Sequence, residues 1–238
     1  MTAMLASVRN LAEAELAVAA GVDWLDLKDP THGALGAVEP TDVAEVVARF
    51  RGRLPISATI GDCWETPDLI ASRVRALAAL HVDYVKIGLY LSAWSNELAT
   101  AFVAAQAAMP HLIAVCFAES PTYFSRLAAL PVCGAMLDTA NKTQGSLLTQ
   151  MTGVEIAEFL HAARESRLMT GVAGSLGAGD IPLLLPRAPD YLGFRGALCH
   201  RRDRVDALDS VALAEIRRLI PPPIARRRDL KGAVHGLA

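Results

Sequence analysis

The sequence predicts an α/β fold, a single-domain (β/α)8 TIM barrel, on three observations. Its 238 residues suit one large core. Short runs rich in Val, Ile and Leu alternate with Ala/Arg/Glu-rich stretches of helical period. Eight such pairs succeed one another, and no linker or shift in composition divides them.

The first apolar run, 4–8, leads into a helical stretch at 11–20, which Gly21 ends ahead of a second strand at 24–28. Helix 40–50 and strand 56–60 come next, followed by helix 66–80 and strand 84–87. Helix 93–109 stops at Pro110, and strand 112–117 begins beyond it. Helix 121–129 precedes strand 134–138, helix 153–166 precedes strand 169–173, and helix 181–187 precedes strand 191–195. A helix at 207–220 closes the series. Residues 1–220 thus form the predicted barrel, and 221–238 a Pro/Arg-rich tail. An open, doubly wound sheet is the rival architecture. It is disfavoured because no G-x-G-x-x-G follows the first strand and eight strands suit closure.

Hydrophobic residues make up 53% and charged residues 20%, which describes a compact soluble protein and argues against disorder. A formal net charge of −2 gives no electrostatic footprint for nucleic acid. The run Arg226-Arg227-Arg228 after Pro221-Pro222-Pro223 reads as a solvated tail rather than a binding patch. Cys63, Cys116, Cys133 and Cys199 are widely spaced, which suits neither a zinc site nor a disulfide framework and fits a reducing cytoplasm. The N-terminus meets a charged residue too soon for a signal peptide, and no apolar run approaches the roughly 20 residues of a membrane helix. A cytoplasmic protein is expected. Barrels of this size often self-associate, so a homo-oligomer is expected too.

The chain has only four lysines among 23 basic residues. Three of them, Lys28, Lys86 and Lys142, stand at or just after strand ends, where arginine would have supplied charge alone. An arginine stays protonated, whereas a lysine amine can lose its proton and form an imine. Side chains alternate along a strand, so if Leu25 and Leu27 face the helices, Asp26 and Lys28 point inward. The same alternation turns Lys86, Asp138 and Arg195 inward, and Lys142 can lean over the mouth from its loop. Active sites of this fold lie at that end. The charges fit either a structural plug or a working site, and two lysines beside two carboxylates favour the latter. Such crowding, or a dry pocket, lowers a lysine pKa and frees the amine to attack a carbonyl. Asp26 and Asp138 would shuttle protons or hold the second lysine charged.

Glycine-rich loops suggest the ligand. Gly174 and Ser175 after the seventh strand, with Arg195 and Gly196 after the eighth, would let backbone N–H groups and a cation meet a phosphate, and a helix opens near Asp180. A second loop, 31–37, holds another anionic group or is simply a long turn. Thr59 and Asp62 either orient substrate or cap the next helix. Trp64 and Trp94 read as packing residues, and the six histidines lack metal-ligand spacing.

The segments VDWLDLKDP…GALGA, ISATIGD, VDYVKIGLY, GAMLDTANK, VAGSL and GFRGALC together resemble the (5-formylfuran-3-yl)methyl phosphate synthase family, also called 4-(hydroxymethyl)-2-furancarboxaldehyde-phosphate synthase. The resemblance runs from the first strand to the eighth. It implies a TIM-barrel lyase that condenses two molecules of glyceraldehyde 3-phosphate into a phosphorylated furan aldehyde, losing phosphate and water. The product feeds the furan core of methanofuran-type carriers of one-carbon units. The resemblance also implies that Lys28 is the Schiff-base lysine and Lys86 the proton-transferring one. Asp26, Asp138 and Lys142 match accessory residues, and no metal or organic cofactor is implied. The stretch 118–123 is shorter than in archaeal members. A class I aldolase of sugar phosphates, or a non-catalytic barrel that binds a phosphorylated metabolite, are the alternative readings.

Overall fold

A computed structural model describes residues 1–221 except 64 and 120, and leaves out the side chains of 121–123. The expectations about Trp64, Ser120 and the tail from 222 onward, including Arg226-Arg227-Arg228, lie outside the described residues.

Eight parallel strands close into a barrel in sequence order. They are β1 (Ala3–Val8), β2 (Trp24–Leu27), β3 (Ile56–Thr59), β4 (Tyr84–Leu89), β5 (Leu112–Phe117), β6 (Gly134–Asp138), β7 (Met169–Val172) and β8 (Tyr191–Phe194). The helices between and after them are α1 (Leu11–Ala19), α2 (Pro40–Phe50), α3 (Pro67–Ala79), α4 (Asn96–Ala108), α5 (Leu147–Gln150), α6 (Gly153–Glu165), α7 (Ile181–Leu184) and α8 (Ser210–Leu219). Between β5 and β6 the chain winds as a 3-10 helix over Pro121–Ala129.

Several boundaries differ from the sequence expectation for local reasons. Helix α4 starts at Asn96 rather than 93 because the Ser95 hydroxyl accepts the Leu98 N–H. Helix α8 starts at Ser210 rather than 207 because the Asp209 carboxylate accepts the N–H groups of Val211 and Ala212. The predicted helix 181–187 is α-helical only to Leu184. Pro186 brings no N–H to continue the ladder, and residues Leu185–Arg187 tighten into a 3-10 turn. The short α5 was not expected. Strand β4 runs to Leu89, where Gly88 and Leu89 still pair with Val115 and Cys116.

Alternation sorts the strand residues into two apolar shells. Leu25 and Leu27 pack outward with the helices, as expected, while Trp24 packs inside. The inner shell also holds Leu5, Ile113, Val115, Met136 and Tyr191. Trp24 lies between Tyr84 and Tyr191, with ring centroids 4.7 Å and 5.1 Å away, and these rings floor the barrel. Polar side chains gather above that floor. No helix among the described residues is long and apolar enough to cross a membrane.

Candidate active site

Five of the six charged residues that the sequence assigned to the mouth come together, but in two tiers rather than one ring. The lower tier is the pair Lys86–Asp26, both essentially inaccessible. Lys86 Nζ lies 2.9 Å from Asp26 Oδ1 and 5.5 Å from the centre of the Tyr191 ring. The buried amine is held to Asp26 by their opposite charges at this distance. Asp26 has better partners, since the hydroxyls of Ser57 (2.6 Å) and Ser7 (3.1 Å) donate to it. The Trp24 indole in turn donates to Ser57 Oγ at 3.1 Å. Burial alone would raise the Asp26 carboxyl, but the charges of Lys86 and Lys28 outweigh it and hold the group below the usual carboxylate range. For Lys86, burial wins over Asp26 and pushes the amine below the ordinary lysine value.

The upper tier is Lys28, Asp138 and Lys142, which line an open cavity of about 320 Å³. Lys28 follows the last residue of β2, and its backbone N–H still bonds Val8 O of the neighbouring strand β1. Its Nζ is 3.7 Å from Asp138 Oδ2, while Lys142 Nζ donates to Asp138 Oδ1. The Thr139 N–H also donates to that oxygen, at 2.8 Å. One carboxylate therefore faces two amines. Burial would raise Asp138, but Lys142 and Lys28 outweigh it and hold it low.

Burial pushes the Lys142 amine down to about 8, with Asp138 opposing the shift and Lys28 adding to it. With four lysines in the chain, an NMR titration of 15N-lysine-labelled protein can resolve this group. Its midpoint should fall near pH 8. Asp138→Asn should lower it further, because the proton loses its stabilising anion. A midpoint near the free-lysine value of about 10.4 would contradict the burial seen here.

Two loops frame the cavity. Gly174 adopts φ +104°, and a Cβ there would lie 2.9 Å from the Thr139 side chain. Ser175 follows at φ +49°, a left-handed conformation rare outside glycine. Both residues line the cavity, as does Gly196. Among the described residues no acceptor takes the backbone N–H of Ser175 or Gly196. Asp180 precedes α7 as expected, and its carboxylate accepts the Gly177 N–H at 2.8 Å, fixing the far end of the glycine loop.

On the opposite side the loop after β2 folds over the mouth. Asp62 accepts the N–H groups of Ala34 (3.0 Å) and Leu35 (3.2 Å), and Thr59 donates to Gly36 O at 2.9 Å. Thr59 and Asp62 thus latch this loop and do not cap α3. Leu35 reaches the β4 backbone so closely that a Cβ on Gly88 would sit 2.5 Å from its Cδ1. The loop is therefore a fitted cover over the β4–β5 side, and open space remains beside β6, β7 and β8. Trp94 packs edge-on against Phe102, away from the cavity.

Arg195 borders the cavity, but its guanidinium turns to α1 and not into the mouth as strand alternation predicted. Strand β8 ends at Phe194, and Arg195 turns to φ −135°, ψ −71°, so the alternation no longer applies. Its guanidinium pairs with buried Glu13 of α1, at 2.5 Å and 3.1 Å. Its other N–H groups go to the carbonyls of Ser7, Arg204 and Asp206. All five donors are spent on the protein, which leaves none for a phosphate. Burial would raise Glu13, but Arg195 and Arg9 outweigh it and hold its carboxyl low. Sequence reasoning also missed Arg204, which lines the cavity from the loop after β8. The density of arginines at 201, 202 and 204 was the available signal.

A family model described as 4-HFC-P synthase matches residues 4–217. A protein of Methylorubrum extorquens, provisionally named (5-formylfuran-3-yl)methyl phosphate synthase, is 43% identical over 215 residues, covering 89% of each chain. The (5-formylfuran-3-yl)methyl phosphate synthase of Methanopyrus kandleri is 33% identical, covering 84% of this chain and 91% of its own. That of Methanosarcina mazei is 35% identical, covering 82% and 90%. Among solved structures, phosphoribosyl anthranilate isomerase from Thermus thermophilus superposes with a TM-score of 0.68 at 12% identity, covering 92% of this chain and 98% of that one. A 3-hexulose-6-phosphate synthase gives 0.62 at 20%, covering 92% and 100%. At such identities these two bear on the fold alone.

Proposed function

The chain belongs to the 4-HFC-P synthase family, and from that premise we propose that it is a Schiff-base lyase which condenses two molecules of glyceraldehyde 3-phosphate into (5-formylfuran-3-yl)methyl phosphate. Phosphate and water are lost, and the product supplies the furan of a methanofuran-type carrier. The observation that carries the mechanism is the division of the amines into a cavity-lining tier and a sealed one.

Lys28 is the amine placed to meet a triose phosphate, and its attack on the carbonyl gives an imine once water leaves. Lys142 and Asp138, in contact beside it, exchange the protons of that addition and dehydration. Loss of a proton next to the imine yields an enamine-like carbon nucleophile, which attacks the aldehyde of the second triose phosphate. Lys86, whose amine burial pushes below the ordinary lysine value, exchanges protons through Asp26. Ring closure, dehydration and phosphate elimination then give the aromatic furan, whose stability draws the sequence forward, and hydrolysis of the imine frees Lys28 for the next turnover. The N–H groups of Ser175 and Gly196 are suited to one phosphate.

Incubation of the purified protein with glyceraldehyde 3-phosphate should generate a furan aldehyde absorbance, with one inorganic phosphate released per furan. Reversible cleavage of a sugar phosphate with no furan would instead indicate an aldolase.

A further inference from the structure

Arg195 and Arg204 stand nine residues apart and differ in what they have left to give. Arg195 is buried and fully bonded. Arg204 lines the cavity with Lys28, Asp138 and Lys142, and among the described residues its guanidinium donates one hydrogen bond, from Nη2 to Gly33 O at 3.0 Å. A half-buried guanidinium with donors to spare, beside a cavity, is suited to bidentate recognition of an oxyanion.

Its placement is built rather than incidental. Arg195 Nε donates to Arg204 O at 2.8 Å and Arg195 Nη2 to Asp206 O at 2.8 Å, so the Glu13–Arg195 pair pins the loop at residue 204 itself and two residues beyond it. Gly196 packs under this loop, where a Cβ would come within 3.7 Å of Arg204 Cβ. Charge points the same way. Among the groups that line the cavity, Lys28, Lys142, Arg202 and Arg204 stand against the carboxylates of Asp138 and Asp203, while Arg195 is paired with Glu13. The cavity therefore carries an excess of positive charge that an anionic ligand would offset.

We propose that Arg204 binds a substrate phosphate group in this cavity, that Arg195 is its positioning residue, and that the bond to Gly33 couples phosphate capture to the cover formed by the loop after β2. The inference rests on the triose phosphate reading for the identity of the ligand, but not for the presence of an anion site. It assigns to Arg204 the phosphate contact that strand alternation had suggested for Arg195.

The test uses the full chain and inorganic phosphate as probe, with binding followed by calorimetry in the absence of turnover. Arg204→Gln should weaken phosphate binding by about 10- to 100-fold, the worth of a charge-assisted pair of hydrogen bonds, and Arg204→Lys by less. With glyceraldehyde 3-phosphate, KM should rise by a similar factor while kcat falls by much less. Borohydride trapping at saturating substrate should still label Lys28. Phosphate affinity within twofold of wild type in Arg204→Gln, or a fall confined to kcat, overturns the assignment. If wild type makes no furan yet Arg204→Gln weakens phosphate binding, the anion site stands and the proposed reaction falls. If furan forms and phosphate binding is unchanged in the variant, the reaction stands and this assignment falls.

Discussion

Lys28→Arg should fold like the wild type and lose at least about 10³-fold in turnover. The substitution keeps a positive charge beside Asp138, now 3.7 Å from the amine, and the adjoining cavity gives the larger head room. A guanidinium stays protonated at any working pH and forms no imine with a sugar carbonyl. Three measurements check this result together. The thermal midpoint should move by no more than a few degrees, borohydride with substrate should leave no adduct on the peptide carrying residue 28, and furan formation should vanish. Activity above a tenth of wild type would assign the nucleophile elsewhere, and Lys142, whose amine burial pushes down to about 8, would be the next to test.

Glu13→Ala should cost about 3–5 kcal/mol of stability at neutral pH, because breaking a buried ion pair leaves an uncompensated charge behind. Arg195 is only 5% exposed at its side chain, and Glu13 takes two of its hydrogen bonds. The same carboxylate accepts the Arg9 backbone N–H at 2.9 Å at the start of α1, so the helix loses an anchor too. The pH dependence has a definite sign. Folding holds the Glu13 carboxyl below its ordinary value of 4.5, so its contribution is complete above that pH and is lost as the pH falls through the lower folded value. Urea denaturation should therefore show a wide gap between wild type and variant at neutral pH that narrows in acid. A gap that does not change with pH would mean that lost packing, not the ion pair, is responsible.

Much of the fold could be read from the chain because a closed parallel sheet leaves simple marks. The outward Leu25 and Leu27 and the inward Asp26 follow from period-two alternation, and the helices of the outer layer follow from their spacing. Depth within the barrel was another matter. Both lysines read as strand-end residues, yet Lys28 follows β2 and lines the cavity, while Lys86 lies within β4, which runs on to Leu89, and is sealed beneath the cavity. That difference comes from the stagger of strands in a tilted barrel, which no single strand reveals. Arg195 was misplaced because its direction depends on where β8 stops and on a carboxylate in α1, 182 residues away. Arg204 was missed because loop conformation is set by long-range partners, here the clamp from Arg195 and the carbonyl of Gly33. Thr59 and Asp62 had two local readings, and the structure gives them a third, as latches on a loop from the preceding strand.

The aromatic floor has a consequence for how hydrogen ions travel. Trp24, Tyr84 and Tyr191 stack below Lys86, and its amine touches no solvent. From beneath, the lower chamber is a blind alley. The contacts of Lys86 lead to Asp26 and from Asp26 to Ser7, which lines the cavity, so the deep amine exchanges hydrogen ions with water by the route that a bound triose would occupy. A substrate seated there acts as a stopper, and isotope from the solvent should enter the deep site between turnovers rather than during them.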